Sequence, residues 1–330
     1  MSAPALLAKV RRGAVVEASV WGHVAVADAH GRLLAAAGDP DTLTTMRSAV
    51  KPLQALAFVE SGAADAIGAR DSEVAIACAS HGAGFAQLLA VRELLALAGA
   101  APSMLSCGPQ MPGDPAAAAD LIATGELPSP IHNNCSGQHA AMIATCLHRG
   151  WPVDGYARAE HPMQAAVAEA MGRCAGVDLT AAPSGIDGCG LPTYGLPLRT
   201  LARAFATAAA TSQAFHRCQE AMAARPDLVA GRGRFDTVLL AAAGERLTAK
   251  GGGAGIWAAV SRSGGPAVAV KLEAGDSGRI APVAIAVLQA LDLLPRELAD
   301  DLAAQAAGAV RDWSGAVVGG TMATVQLTPG

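Results

Sequence analysis

Ser48 and Lys51 are the two residues of this sequence whose types and spacing most directly suggest chemistry. On a helical turn, residues three apart share a face, so the hydroxyl and the amine can meet. A hydroxyl attacks poorly until a base takes its proton. Lysine serves as that base only if burial brings its pKa from about 10.4 toward 7, at a cost of roughly 4 kcal/mol. Residues 52–58, nearly all apolar, supply such a setting. Two further elements extend the pattern. Ser80-His81-Gly82 closes an apolar segment and offers a second hydroxyl. Lys250-Gly251-Gly252 offers a second amine, followed by glycines that let a strand backbone approach a substrate closely. Ser48/Lys51 and Ser80/Lys250 are therefore the expected catalytic pairs. Lys271, in an apolar strand of its own, competes with Lys250 for the second role.

A third constellation is His132-Asn133-Asn134-Cys135-Ser136-Gly137-Gln138-His139, a polar loop opening onto a helix. The backbone N–H groups at such a helix start suit a carboxylate. Cys135 shares a helical face with Gln138 and with His139. Gly185-Ile186-Asp187-Gly188-Cys189-Gly190 supplies a carboxylate and a second thiol among glycines. Two loop cysteines with nitrogen or oxygen donors can hold zinc, so Cys135, Cys189 and Gln138 are the candidate metal ligands.

Around these motifs the sequence predicts the following elements. Residues 14–37 alternate as two antiparallel strands about an Asp28-Ala29-His30-Gly31 turn. Thr44 or Thr45 caps a helix that runs through Ser48 and Lys51 to Gly62. Residues 74–79 read as a short strand or a helix start, and 85–99 as a helix stopped by Gly99. Helices are expected after residue 115, after Gly137 as far as Gly150, over 159–171 and over 200–224. Residues 183–191 read as a loop, and 236–253 hold a helix or a strand. Residues 256–260 and 267–272 are expected strands, and 280–294 a late helix. Strands at both ends with helices between indicate an α+β fold: one antiparallel sheet built from both termini and flanked by helices, with a helical insert. No repeat or linker is evident, so residues 1–330 are read as a single domain.

Composition narrows the function. The 330 residues carry 24 basic and 28 acidic side chains, with no basic block, which argues against a nucleic-acid partner. The longest apolar stretches are interrupted by charge before they could span a bilayer. The first residues lack the order of a secretory signal, so the expected location is cytoplasmic. Seven irregularly spaced cysteines without a CxxC are then expected to be reduced.

Together these strings resemble the rhizobial-type, or class 3, L-asparaginases over most of the chain. The markers are Met46-Arg47-Ser48-Ala49-Val50-Lys51-Pro52, Ala79-Ser80-His81, Asn133-Asn134-Cys135-Ser136-Gly137, Asp187-Gly188-Cys189-Gly190, and Val229-Ala230-Gly231 with Arg234-Phe235. The resemblance implies a fold like the serine β-lactamases and serine glutaminases, a homodimer, and hydrolysis of L-asparagine. It implies two Ser–Lys pairs at Ser48/Lys51 and Ser80/Lys250, zinc-binding thiols at Cys135 and Cys189, and an acidic neighbour of the metal at Asp187. Arg47, His81, Asn134 and Asp187 are the expected substrate-binding residues. One position departs: where the family carries a lysine three residues after the first cysteine, this chain has Gln138. A neutral amide is a weaker zinc ligand, so zinc is expected to bind weakly. The rival readings are a related serine amidohydrolase acting on glutamine or a lactam, and a catalytically silent amino-acid or metal-binding homologue.

Overall fold

A computed structural model of the chain describes residues 3–306 and 308–330. Its internal contacts divide it into two units. The first holds the chain up to Ala49 together with Leu196–Thr211 and Glu245–Gly330; the second holds Val50–Gly195 and Ser212–Gly244.

The first unit is built on a nine-stranded sheet. Its strands are β1 (Ala5–Arg12), β2 (Val15–Ala27), β3 (Leu33–Ala37), β4 (Leu247–Gly251), β5 (Ile256–Ser261), β6 (Ala267–Leu272), β7 (Ala309–Arg311), β8 (Val317–Ala323) and β9 (Thr328–Pro329). The main path runs β7-β8-β1-β2-β6-β5-β4, and β3 joins β2 to β9 as a branch. Every pairing is antiparallel. All six residues of β5 are buried. A strand covered on both faces favours apolar side chains throughout, which is why residues 256–260 read as a continuous apolar run before Ser261 ends the strand. The helices Leu198–Thr211 and Ile280–Ala290 pack on this sheet. The α+β reading holds, with an antiparallel sheet drawn from both chain ends and flanked by helices.

Several elements differ from the sequence reading. β1 went unrecognised, although it pairs with both β2 and β8 and so joins the two chain termini. The helix expected from Thr45 begins instead as the strand Leu43–Thr45 and a 3-10 turn, Arg47–Val50, followed by the short helix Lys51–Gln54. Residues 200–224 divide into Leu198–Thr211 and Gln213–Ala224, broken at Ser212, whose hydroxyl accepts from the Phe215 N–H. Ser184–Ile186 pairs with Pro192–Tyr194 as a short hairpin in place of an open loop. Beyond residue 294 the chain forms the helix Arg296–Ala306 and three strands that the sequence reading left unassigned.

The second unit is helical. The helix Ser136–Arg149 buries every residue from Ser136 to Cys146 and ends at left-handed Gly150. It crosses Asp71–Ala77 so closely that a β-carbon at Gly137 would lie 2.3 Å from the Ile76 carbonyl oxygen. Only glycine fits there. Phe85–Leu97 packs on the same central helix. Among the described residues, no helix is long and apolar enough to cross a membrane.

Candidate active site

The sheet unit contributes Arg47, Ser48, Lys250 and Lys271. Arg47 takes a left-handed backbone (φ 46°), rare for a side chain of its size, at the head of the turn that carries Ser48. Strain of this kind persists only where the surroundings fix it. Here Met46, just before the turn, and Ala49, within it, are buried. The Arg47 guanidinium lies against the glycine run, and a β-carbon at Gly253 would sit 3.2 Å from its Nη2. Gly252 approaches the Ser48 turn more closely: a β-carbon there would lie 2.8 Å from the Ala49 nitrogen and 3.2 Å from the Ser48 nitrogen. Lys250, in β4, is 1% exposed, and its Nζ donates to the Gly251 carbonyl at 2.5 Å. Lys271, in β6 opposite Ile256 and His23, is less buried, and its Nζ donates to the carbonyls of Leu272 (2.6 Å) and Ala254 (2.9 Å). Partial burial lowers its pKa, against the opposing charge of Glu273.

The helical unit contributes the remaining residues. Lys51 is 1% exposed; its Nζ donates to the Ala79 carbonyl at 2.6 Å and to the Asn134 carbonyl at 3.4 Å. One amine therefore ties the Ser80 loop to the Asn134-Cys135 loop. The same loops are joined by the His81 N–H, which donates to the Asn134 carbonyl at 3.0 Å. The Ser80 N–H donates to Val229, which fixes that backbone, while its buried Oγ has no hydrogen-bond partner among the described residues. A buried hydroxyl left unpaired costs about 1–3 kcal/mol, so its retention calls for an explanation.

Both ring nitrogens of His81 are committed within the protein. Nδ1 accepts from the Ala83 N–H (3.1 Å), which leaves the proton on Nε2, facing Ser136 Oγ at 2.9 Å. Ser136 Oγ in turn donates to the Ile131 carbonyl. Burial, with the charges of Lys51 and His132 adding to it, pulls the His81 pKa down to about 3 and keeps the ring neutral. Asn134 donates its N–H to Gln110 Oε1, and its Oδ1 accepts from the Cys135 thiol at 3.0 Å.

Cys135 and Cys189 are buried, and their side chains hydrogen-bond to each other. That bond, with the neighbouring Lys51 charge, lowers the Cys135 pKa against the opposing effects of burial and of Asp187. The same bond and burial push Cys189 up. Asp187 turns its carboxylate onto the Gly188 N–H at 2.6 Å, in a turn closed by Gly190 N–H to Asp187 O. Gln138 donates its amide to Gln54 Oε1 at 2.6 Å, in the buried interior. His139 Nδ1 meets the Tyr156 hydroxyl at 2.7 Å, and burial lowers its pKa to about 3.

The structure thus brings the two expected thiols together, with Asp187 close enough for its charge to act on Cys135. Among the described residues no three His, Cys, Asp or Glu side chains form a metal-binding group. Tetrahedral zinc takes at least three protein ligands. Gln138 spends its Nε2 on Gln54, the two thiols alone do not complete that set, and no chemical step is assigned to a metal.

Sequence reasoning missed Gln54, Tyr156 and Gln87, and named Asn133 only as part of a motif, without a role. Asn133 braces the cysteine loop by donating to the Cys107 carbonyl and accepting from the Cys135 N–H. Gln87 Oε1 accepts from the N–H groups of Gly82 and Gly84, shaping the loop after Ser80. The available signals were the motif that contains Asn133 and the scarcity of tyrosine, of which Tyr156 is one of only two in the chain.

The sequence model of the L-asparaginase II family matches residues 8–323, through both units. The chain belongs to the L-asparaginase II family. No curated protein matches it. Membership in the L-asparaginase II family supports an amidohydrolase that acts on asparagine.

Proposed function

We propose that the protein hydrolyses L-asparagine to L-aspartate and ammonia, with Ser48 as the nucleophile and Lys51 as the base. The observation that carries this reading is Lys51 itself: a buried amine, bonded to the carbonyl that precedes Ser80, in a chain of the L-asparaginase II family. In the first step a bond forms from Ser48 Oγ to the side-chain amide carbon, and the serine proton passes to Lys51. The C–N bond then breaks, and the proton is handed to the departing nitrogen, which leaves as ammonia. In the second step water adds to the aspartyl ester, the bond to Ser48 Oγ breaks, and a proton returns to the serine. Backbone N–H groups near Ser48 stabilise the developing oxyanion, each worth roughly 3–4 kcal/mol.

Ser80 and Lys250 form the second pair of the proposal. The unpartnered Ser80 hydroxyl supports a relay role, since an empty hydrogen-bonding position is what a transient proton carrier needs. Arg47, Asn134 and Asp187 are proposed to hold the charged ends of the substrate. His81, with both nitrogens in use, is proposed to shape the binding loop. Zinc on Cys135 and Cys189 alone is expected to be substoichiometric in protein purified without chelator. The single-domain reading over residues 1–330 and the homodimer are kept as parts of the same proposal.

The test is ammonia release from asparagine by the wild type, Ser48→Ala and Ser80→Ala, with mass spectrometry of the trapped acyl-enzyme. The expected result is a loss of a thousandfold or more in Ser48→Ala and an aspartyl adduct on the Ser48 peptide. An adduct on Ser80 would reverse the two roles. Faster ammonia release from glutamine, or ring opening of a lactam probe such as nitrocefin, would move the substrate class, and asparagine binding without turnover would favour a silent homologue.

A further inference from the structure

The loop that joins β4 to β5 is held more firmly than a hairpin connection requires. Ala254 and Gly255 both take left-handed backbones (φ 58° and 70°), and for alanine that conformation is strained. Side chains from outside the loop pin it. Lys271 Nζ donates to the Ala254 carbonyl at 2.9 Å, at the strained residue itself. Ser277 Oγ donates to the Gly252 carbonyl and accepts from the Gly255 N–H, both at 3.1 Å, so one hydroxyl spans the loop. Backbone bonds from Gly252 N–H to Ile256 and from Leu272 N–H to Gly255 complete the set. The element so fixed is the one whose Gly252 lies against the Ser48 and Ala49 nitrogens, closer than any other side chain would allow.

We propose that Lys271 and Ser277 are positioning residues: they pin the 252–255 loop, and through Gly252 they hold the Ser48 turn in its reactive geometry. This rests on Ser48 as the attacking residue. It assigns Lys271 to the scaffold, leaving Lys250 as the lysine of the second pair. The physical reason is that Arg47 and Ala254 are both strained, on facing segments, and a strained pair relaxes unless other bonds restrain it. Small displacements of a reacting group carry large rate penalties, on the order of a hundredfold for 1 Å.

The experiment measures kcat, KM and thermal midpoint for Ser277→Ala, Ser277→Thr and Lys271→Met, with Ser48→Ala alongside. The expected result is a fall in kcat of about tenfold in Ser277→Ala and Lys271→Met with KM within twofold, and recovery in Ser277→Thr, which keeps the hydroxyl. If Lys271→Met does not fold, Ser277→Ala carries the test, because Ser277 lies on the exposed surface. Unchanged kcat with a lowered midpoint, or a loss that Ser277→Thr does not recover, would overturn the proposal. So would a thousandfold loss with an altered pH profile in Lys271→Met, which would place that amine in the chemistry. Retained turnover in Ser48→Ala would instead sink the reading on which the proposal rests, and the two failures are separable.

Discussion

The two units differ in what they bury. The sheet unit is filled mainly by aliphatic side chains such as Leu7, Val24, Val26, Val260, Val268 and Val270, with the aromatic Trp257 and Phe205, and its buried polar groups among the described residues are His23, Asp39, Thr248, Lys250 and Ser261. The helical unit buries Lys51, Gln54, Glu73, His81, Gln87, Asn133, Gln138 and His139. A sheet satisfies its backbone through its own ladders, so its side chains can be plain. Loops packed between helices have no ladders, and buried side-chain amides and imidazoles take over the satisfaction of their N–H and C=O groups. Gln87 on Gly82 and Gly84, Asn133 on Cys107, and Lys51 on Ala79 all do this. Buried polar groups are therefore not in themselves a sign of catalysis. Many of them build the loops on which candidate residues sit.

Acid should separate the units most. His81 and His139 have folded pKa values near 3, against about 6.5 when unfolded. Their contribution is complete above pH 6.5. Between pH 6.5 and 3 the unfolded chain takes up protons that the folded chain refuses, so stability falls as pH drops. The expected slope is roughly 1.4 kcal/mol per pH unit for each histidine. Denaturant titrations across this range should show it, and His139→Gln should flatten it; an unaltered slope would refute the assignment to His139.

Leu7→Ala probes the sheet unit. It removes a fully buried side chain and should cost about 2–5 kcal/mol equally at pH 7 and pH 5, since no titrating group is involved. A pH-dependent loss would show that the contrast between the units is misdrawn. The smallest effect is expected at the buried amide pair. Gln138→Leu leaves Gln54 Oε1 without its donor and should cost about 1–3 kcal/mol, whereas the double change to leucine at both positions should recover part of that loss. A double-mutant cycle that sums additively would mean the 2.6 Å contact contributes nothing of its own.

The legible parts of the sequence were those with local causes. The hairpin of β2 and β3 followed from alternation and a turn string, and β5 and β6 from short apolar runs between glycines. β1 was harder to read because, although one edge pairs locally with β2, the other is covered by β8, more than 300 residues away. The Thr45 helix failed because chain direction there is set by the strained Arg47, which no propensity scale anticipates. Of the site, the proximity of Cys135 and Cys189 was suggested by motif order alone. The bond from Gln138 to Gln54 was not, because Gln54 lies 84 residues away and carries no motif.

By itself the sequence determined which groups are available: two serines, two candidate lysines, two loop thiols, and strings specific enough to indicate a family. Only the tertiary structure decided how each group is spent. Lys51 bonds carbonyls, His81 braces a loop, Gln138 pairs with an amide, and Lys271 pins a strained turn. The reason is that a polar side chain has a fixed number of donors and acceptors, while the partners that use them are chosen by packing between segments far apart in the chain.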